Sequence, residues 1–361
     1  MKKQGAMIVI RADANPDIGM GHIMRCLSLA DAFCNYGHKV IFVLAENAAN
    51  ELVASRGYNS IVLNSDYKHM DEELSKWPDL HPDILIIDSY FVTFEYLKFV
   101  HKKTKRLVYI DDLAAFSYPV DILVNYNAFG PYIDYKTLYK NGNVAEPCFI
   151  LGPNYAPLRV MFRGVEKKVQ PKIIKNVLLS TGGSDELHIA LNTVRYILTE
   201  NKGKDGAITY HFLIGLMNKD KEEICKLTEG KKGIVLHENV KDMKSLICSC
   251  DLVVSAAGST LYEICACGVP LITYVIADNQ IPGADAFEKL GVAVNLGDLR
   301  VLGSHGDGLA STGALRSDAA DLIMSSIEEL SNDFEKRIVV GNRMQEMIDG
   351  FGADRIVKDI I

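Results

Sequence analysis

Short apolar runs recur along the chain at strand length, and amphipathic stretches with a helical repeat separate several of them. Strand-like runs fall at residues 7–11, 40–44, 61–63, 84–88, 107–110 and 122–124, and helical patterns at 22–36, 47–56 and 93–101. Such alternation predicts a parallel sheet with helices on both faces. The rhythm restarts at 176–180 and continues through 211–214, 234–236, 252–254 and 271–275. Two α/β domains of the Rossmann-like, doubly wound kind are therefore expected, at 1–155 and 172–340. The stretch 152–171, with three prolines, a charged run and little periodicity, is the expected linker. Residues 318–361 are helical in pattern, and 341–361 are expected to form a helix able to pack back across the linker. The glycine-rich stretch 297–313 matches a phosphate loop in composition only, since no strand-to-helix junction surrounds it, and is expected to be a surface excursion.

The first strand-to-helix junction reads IVIRADANPDIGMGHIMRCLSLADAF. A strand ends near Arg11, a polar loop carries Asp13, and Gly19, Gly21 and His22 open a helix. In an open α/β sheet this is the carboxyl end of a strand, where ligands bind. Glycines at 19 and 21 permit positive φ and leave room for a ligand near the backbone, and the first N–H groups of the helix favour an anion. A dinucleotide fingerprint would need a third glycine where Met24 stands and a shorter loop, so Gly19 and Gly21 alone are a weak signal for it. His22 fits either a polar wall residue or a general base; the positive helix end disfavours a protonated ring, and the neutral ring is the form a base needs.

In the second half, VLLSTGGSDELHIALNTV repeats the layout. The turn at Gly182, Gly183 and Ser184 offers backbone N–H groups to a diphosphate, and a merely structural turn is the alternative. Farther on, DLVVSAAGSTLYEICACGVPLITY places Ser259 and Thr260 at a helix start and Glu263 in its first turn. These hydroxyls suit helix capping or phosphate binding. Glu263 suits chelation of two ribose hydroxyls, or a capping box with Thr260 three residues earlier. Asn279 and Gln280 follow the next strand.

Composition narrows the partners. Of 361 residues, 48% are hydrophobic and 24% charged, enough apolar side chain for two cores. A formal charge of −7 disfavours a nucleic-acid partner. The start has too short an apolar run for a secretory signal. The apolar stretch 246–276 is broken by Asp251, Glu263, Gly258, Gly268 and Pro270, which argues for buried strand, helix and strand rather than a membrane span. A cytoplasmic protein without membrane insertion is expected. Its eight cysteines include two C-x-C pairs, at 248/250 and 265/267, that lack zinc-ligand spacing and are expected as small buried hydrophobes in a reducing compartment.

These segments resemble the hydrolases of pseudaminic acid synthesis that cleave UDP-2,4-diacetamido-2,4,6-trideoxy-β-L-altropyranose. The resemblance rests on R-x-D…I-G-x-G-H-x-x-R at 11–25, I-I-D-x-Y at 86–90, D-D at 111–112, Y-A-x-L-R at 155–159, G-G-S-D at 182–185, the Glu263 helix and N-Q at 279–280. The glycine turn and the Ser…Glu…Gly-x-Pro pattern are shared with other GT-B enzymes, including the UDP-GlcNAc transferase of peptidoglycan synthesis. The resemblance implies a GT-B fold with the active site in the cleft between two Rossmann-like domains, His22 as base, Tyr90, Arg159 and Asn279 near the substrate, and Glu263 on the ribose. Tyr90 fits a packing role at a strand end equally well, and Arg159 a salt bridge in the linker.

The implied reaction is hydrolysis of a UDP-sugar at the anomeric carbon with inversion. Diphosphate is a good leaving group, so one base for water and donors for the leaving oxygen suffice, without metal or cofactor. A glycosyltransferase would use the same residues on an acceptor hydroxyl. A non-catalytic nucleotide-sugar sensor would have no use for His22, and a nicotinamide dehydrogenase ranks last for want of the third glycine.

Overall fold

The computed structural model describes residues 5–15, 17–142, 144–200, 207–302 and 314–361. They fall into two compact units, one within Met1–Arg163 and completed by Gly350–Ile361, the other Gly164–Asp349. The chain thus leaves the first unit at Arg163, inside the proline-bearing stretch, and re-enters it at Gly350, later than the expected 341.

The first unit is a seven-stranded, wholly parallel sheet of β1 (Met7–Ala12), β2 (Lys39–Leu44), β3 (Asn59–Val62), β4 (Ile84–Asp88), β5 (Leu107–Ile110), β6 (Ile122–Asn125) and β7 (Cys148–Leu151), in the order β3-β2-β1-β4-β5-β6-β7. Its helices are α1 (Gly21–Asn35), α2 (Asn50–Ser55), α3 (Phe94–His101) and α4 (Tyr135–Lys140). The second unit holds β8 (Asn176–Ser180), β9 (Thr209–Leu213), β10 (Ile234–His237), β11 (Leu252–Ala256), β12 (Leu271–Val275) and β13 (Val294–Asp298), also all parallel, in the order β10-β9-β8-β11-β12-β13. Its helices are α5 (Ile189–Thr199), α6 (Lys221–Thr228), α7 (Met243–Ser249), α8 (Thr260–Cys267), α9 (Ile281–Lys289), α10 (Ala314–Asn332) and α11 (Phe334–Met347). The last helix, α12 (Gly352–Ile360), belongs to the first unit, where Ile356, Val357 and Ile360 are buried and the helix packs against α1. Among the described residues no helix is long and apolar enough to cross a membrane.

Central strands such as β4 and β12 are buried throughout, as parallel strands covered on both faces must be. Two strands were not expected. Both β7 and β13 are edge strands, and β13 carries Asn295 and Gly297 and pairs with β12 through a register shift. Pairing with β12 makes β13 a strand despite its polar positions, whereas β7, Cys-Phe-Ile-Leu, is apolar throughout. The expected excursion at 297–313 is corrected at its start, because Gly297 and Asp298 close β13; residues 303–313 lie outside the described residues. In each sheet the strand order turns back on itself once, between β1 and β4 and between β8 and β11. At such switch points the flanking loops part and leave a crevice at the carboxyl ends of the strands.

Two buried charges fix the loops there. Arg11, on β1 and fully buried, donates from Nε to Glu73 (2.9 Å), from Nη2 to the same carboxylate, and from Nη1 to Asp13. Tyr96 and Ser65 also donate to Glu73, at 3.1 and 3.2 Å. In the second unit Asp185 is buried in a left-handed conformation (φ 52°) and accepts from the backbone N–H groups of Ile189 and Ala190, both at 2.9 Å. Burial pushes its carboxyl up to about 6, against the pull of those hydrogen bonds.

Glu73→Ala should therefore strand a buried guanidinium and cost about 3–5 kcal/mol. The single tryptophan, Trp77, packs edge-on to Tyr96 in this unit, so its fluorescence in a urea titration reads the loss. For Asp185 the sign is opposite to that of a salt-bridged carboxylate. The folded state holds the proton more tightly than the unfolded chain between about pH 4 and pH 6, so this group removes stability as pH rises through that window. Asp185→Asn should flatten that slope in denaturation curves followed by circular dichroism; an unaltered slope would refute the assignment.

Candidate active site

After β1 the chain runs through residues 13–20 before α1 begins, longer than a dinucleotide turn. Asn15 organises this loop: its Oδ1 accepts from the N–H groups of Asp17 and Ile18 at 3.0 Å, and its carbonyl accepts from Gly19 N at 2.8 Å. Only Gly19 has a positive φ (73°). Gly21 is the first residue of α1 and does not use the freedom in φ that glycine permits. A Cβ on either glycine would meet no atom within 4 Å, so the space above the helix start is open. Asp13 is held on both oxygens, by Arg11 and by Ala45 N (2.8 Å), and ties the end of β1 to the end of β2.

His22 is buried in the first turn of α1. Its Nδ1 lies 2.6 Å from Oδ1 of Asp88, the last residue of β4. Arg25, one turn on, reaches the same carboxylate with Nε and Nη2, both at 2.5 Å. It also donates to Asp112 (2.9 Å from Nη2) and to the Tyr126 hydroxyl (2.8 Å from Nη1), and its Nη2 lies 3.1 Å from His22 Nδ1, farther than the Asp88 oxygen that sits 2.6 Å from that nitrogen; Asn127 donates to Asp112 at 2.7 Å. Burial alone would raise the pKa of Asp88, but the charge of Arg25 and the contact with His22 outweigh it and hold the carboxyl well below its usual range. An ionised carboxylate only accepts, so His22 carries its proton on Nδ1 and presents Nε2 as the acceptor. The Tyr90 ring meets His22 edge-on at 4.4 Å, and desolvation together with the charge of Asp112 pushes its phenol well above the usual value, so it stays protonated. Asp13, Ile18, His22, Asp88, Ser89, Tyr90 and Phe91 line a small cavity of about 10 Å³.

His22, Asp13 and Tyr90 thus come together at the β1/β4 switch point. Arg159 stands elsewhere in that unit, its guanidinium over the Phe162 ring at 5.3 Å. Asp88 and Arg25 were missed as functional residues although both lie within the quoted motifs. An ionisable pair at the ends of two strands flanking a switch point was the signal that could have found them.

In the second unit the remaining candidates sit at the carboxyl ends of three adjacent strands: Gly182, Gly183 and Ser184 after β8, Ser259, Thr260 and Glu263 after β11, Asn279 and Gln280 after β12. The glycine turn rests on Gly215, beyond β9, where a Cβ would come within 2.2 Å of the Gly183 carbonyl. Asp185 occupies the first N–H groups of α5, and so an anion gains little there. By contrast Ser259, the residue just before α8, makes no side-chain cap hydrogen bond. Gln280 accepts from Ile276 N at 2.9 Å and fastens its own turn, and Asn279 is exposed. Among the described residues no cluster of histidine, cysteine or carboxylate side chains could hold a metal ion.

Residues 177–304 match the Glycosyltransferase family 28 C-terminal domain. An uncharacterized protein of Methanocaldococcus jannaschii is 24% identical over 284 residues, 76% of this chain and 56% of that protein. The spore coat polysaccharide biosynthesis protein SpsG of Bacillus subtilis is 24% identical over 80% of this chain and 83% of its own length. The pseudaminic acid cytidylyltransferase and UDP-2,4-diacetamido-2,4,6-trideoxy-β-L-altropyranose hydrolase of Helicobacter pylori is 28% identical over 76% of this chain, which spans 45% of that protein. Among solved structures, MurG of Acinetobacter baumannii superposes with a TM-score of 0.61 at 11% identity, covering 99% of each chain. Sheet topology and these likenesses give the chain a GT-B fold whose second unit is similar to the Glycosyltransferase family 28 C-terminal domain.

Proposed function

We propose that the protein hydrolyses a UDP-linked 2,4-diacetamido-2,4,6-trideoxy sugar at its anomeric carbon, releasing UDP and the free sugar for a surface polysaccharide or nonulosonic acid. The observation that carries this reading is a histidine oriented by a buried carboxylate beside a cavity about the size one water needs. The likeness to the Helicobacter pylori protein supports the substrate class, and the family 28 domain supports a nucleotide sugar.

In this mechanism the second unit grips the nucleotide. The uncapped start of α8, with Ser259 and Thr260, takes the diphosphate, Glu263 takes the ribose hydroxyls, and the turn at 182–184 adds backbone donors. His22 Nε2 removes a proton from water as its oxygen attacks the anomeric carbon from the face opposite UDP. The C–O bond to the diphosphate breaks, and its electrons leave with UDP. Asp88 steadies the imidazolium that forms and does not itself take the proton. Arg25 keeps Asp88 charged and is a positioning residue. Tyr90 borders the sugar beside His22, with Asp13, Gly19 and Gly21 shaping the loop. A second reading, favoured by the family 28 match, is transfer of the sugar to an acceptor hydroxyl with His22 as the same base.

Purified protein incubated with UDP-sugars and no acceptor decides between them: UDP release with a free sugar of inverted anomeric configuration by NMR is expected, and no release without an acceptor would favour transfer. His22→Asn should lower turnover by about 10²–10⁴ while UDP affinity stays unchanged. Asp88→Asn should lower it by up to about 10⁴, and the double variant should lose little more than the worse single one, because the pair acts as a unit. Additive losses would break that claim. Glu263→Ala should weaken UDP about ten- to hundredfold in calorimetry, the worth of hydrogen bonds to a charged group; unchanged affinity would remove the ribose role.

A further inference from the structure

Strands β8 and β9 are hydrogen-bonded neighbours, so the glycine turn after β8 adjoins the loop 214–220 after β9. Just past that turn, Asp185 and His188 both hold left-handed backbone, with φ of 52° and 55°. This conformation is costly for residues with a side chain and persists where the surroundings over-determine it. For Asp185 the surroundings are the N–H groups of Ile189 and Ala190. For His188 they belong to the other loop: its Nδ1 lies 2.5 Å from Oδ2 of Asp220.

Asp220 stands at the N-cap of α6, where an aspartate ordinarily accepts from its own helix. It makes no such bond. The carboxylate turns to His188 instead, with only 14% of its side chain exposed. A carboxylate accepts, so His188 donates from Nδ1. Around Asp220 the loop is fastened too: Asp220 N donates to Oδ1 of the buried Asn218 at 2.8 Å, and Met217 N donates to the Gly183 carbonyl at 3.2 Å. That second bond fixes the peptide between Gly183 and Ser184. In a planar trans peptide the N–H and C=O point opposite ways, so the Ser184 N–H is turned away from the β9 loop. Among the described residues neither it nor the Gly183 N–H makes a hydrogen bond.

We propose that His188 and Asp220 form a positioning pair, which clamps the loop after β9 to the turn after β8 and so holds the turn with its unbonded N–H groups presented to the diphosphate of a bound nucleotide. This role presupposes the nucleotide grip proposed above. It accounts together for a histidine in left-handed backbone, an N-cap aspartate that does not cap, and a glycine at 215, where any side chain would meet the carbonyls of Gly182 and Gly183. Helices α5 and α6 also pack on each other directly, so the pair is not what joins the two segments. What it sets is the geometry of the loops.

The full chain should bind both UDP and uridine in NMR titrations, but only UDP has a diphosphate for the turn to hold. His188→Gly accepts left-handed backbone freely and lacks the donor, so it should weaken UDP about tenfold, the worth of a hydrogen bond or two, and leave uridine unchanged. Asp220→Ala should do the same from the other loop. His188→Asn should bind UDP like wild type, because asparagine tolerates this backbone and carries its Nδ2 donor as many bonds from it as Nδ1 of histidine. Unchanged uridine binding reports that each variant is folded. The proposal is overturned if His188→Gly or Asp220→Ala binds UDP as tightly as wild type, if they lose UDP and uridine alike, or if His188→Asn is as weak as His188→Gly. A wild-type chain that binds no UDP would instead sink the nucleotide reading itself, and this role with it.

Discussion

A carboxylate removed from water holds the first unit's chemistry in place. Alone at the end of β4, Asp88 would be neutral, because burial without partners penalises charge heavily. Arg25 prevents this with two hydrogen bonds, and Arg25 is itself shared with Asp112 and Tyr126. His22 takes what remains of the Asp88 acceptor capacity, and with that its proton is confined to one nitrogen. Removing Arg25 would leave Asp88 buried with an uncompensated charge, so the group is best understood as one unit whose output is a single oriented imidazole.

Sheet order is what lets these residues meet. Asp88 lies 66 positions from His22, yet β1 and β4 are hydrogen-bonded neighbours, and α1 starts just above the end of β1. The second unit repeats the plan at the β8/β11 switch point with a different filling. There Asp185 seals the start of α5, whereas α8 begins without a side-chain cap. One layout therefore yields a proton acceptor in the first unit and an anion-favouring helix start in the second, and the difference comes from which residues cap which helix.

The alternation of apolar runs and amphipathic helices was legible because parallel strands must be buried on both faces, and this puts β1, β4, β8 and β12 in the sequence almost residue for residue. Two of the four edge strands escaped: β13 breaks its apolar run with Asn295 and Gly297, whereas β7, Cys-Phe-Ile-Leu, is as long and as apolar as β5 and β6 and was there to be read. His22 was legible as a histidine at a helix start. The identity of its partner was not, since carboxylates are common at strand ends and only strand order selects Asp88.

Hydrolysis and transfer need the same grip on a nucleotide and the same base, so the difference must lie in what can reach Nε2 of His22. The cavity beside it is lined by Ile18, Tyr90 and Phe91 as well as by polar groups, and measures about 10 Å³. A space of that size matches one water-sized sphere and is far smaller than a sugar acceptor. The donor sugar must come as near to Nε2 as any acceptor, so this space is a seat for the attacking water in the proposed hydrolysis, and whether an acceptor hydroxyl takes that seat is what separates transfer from it.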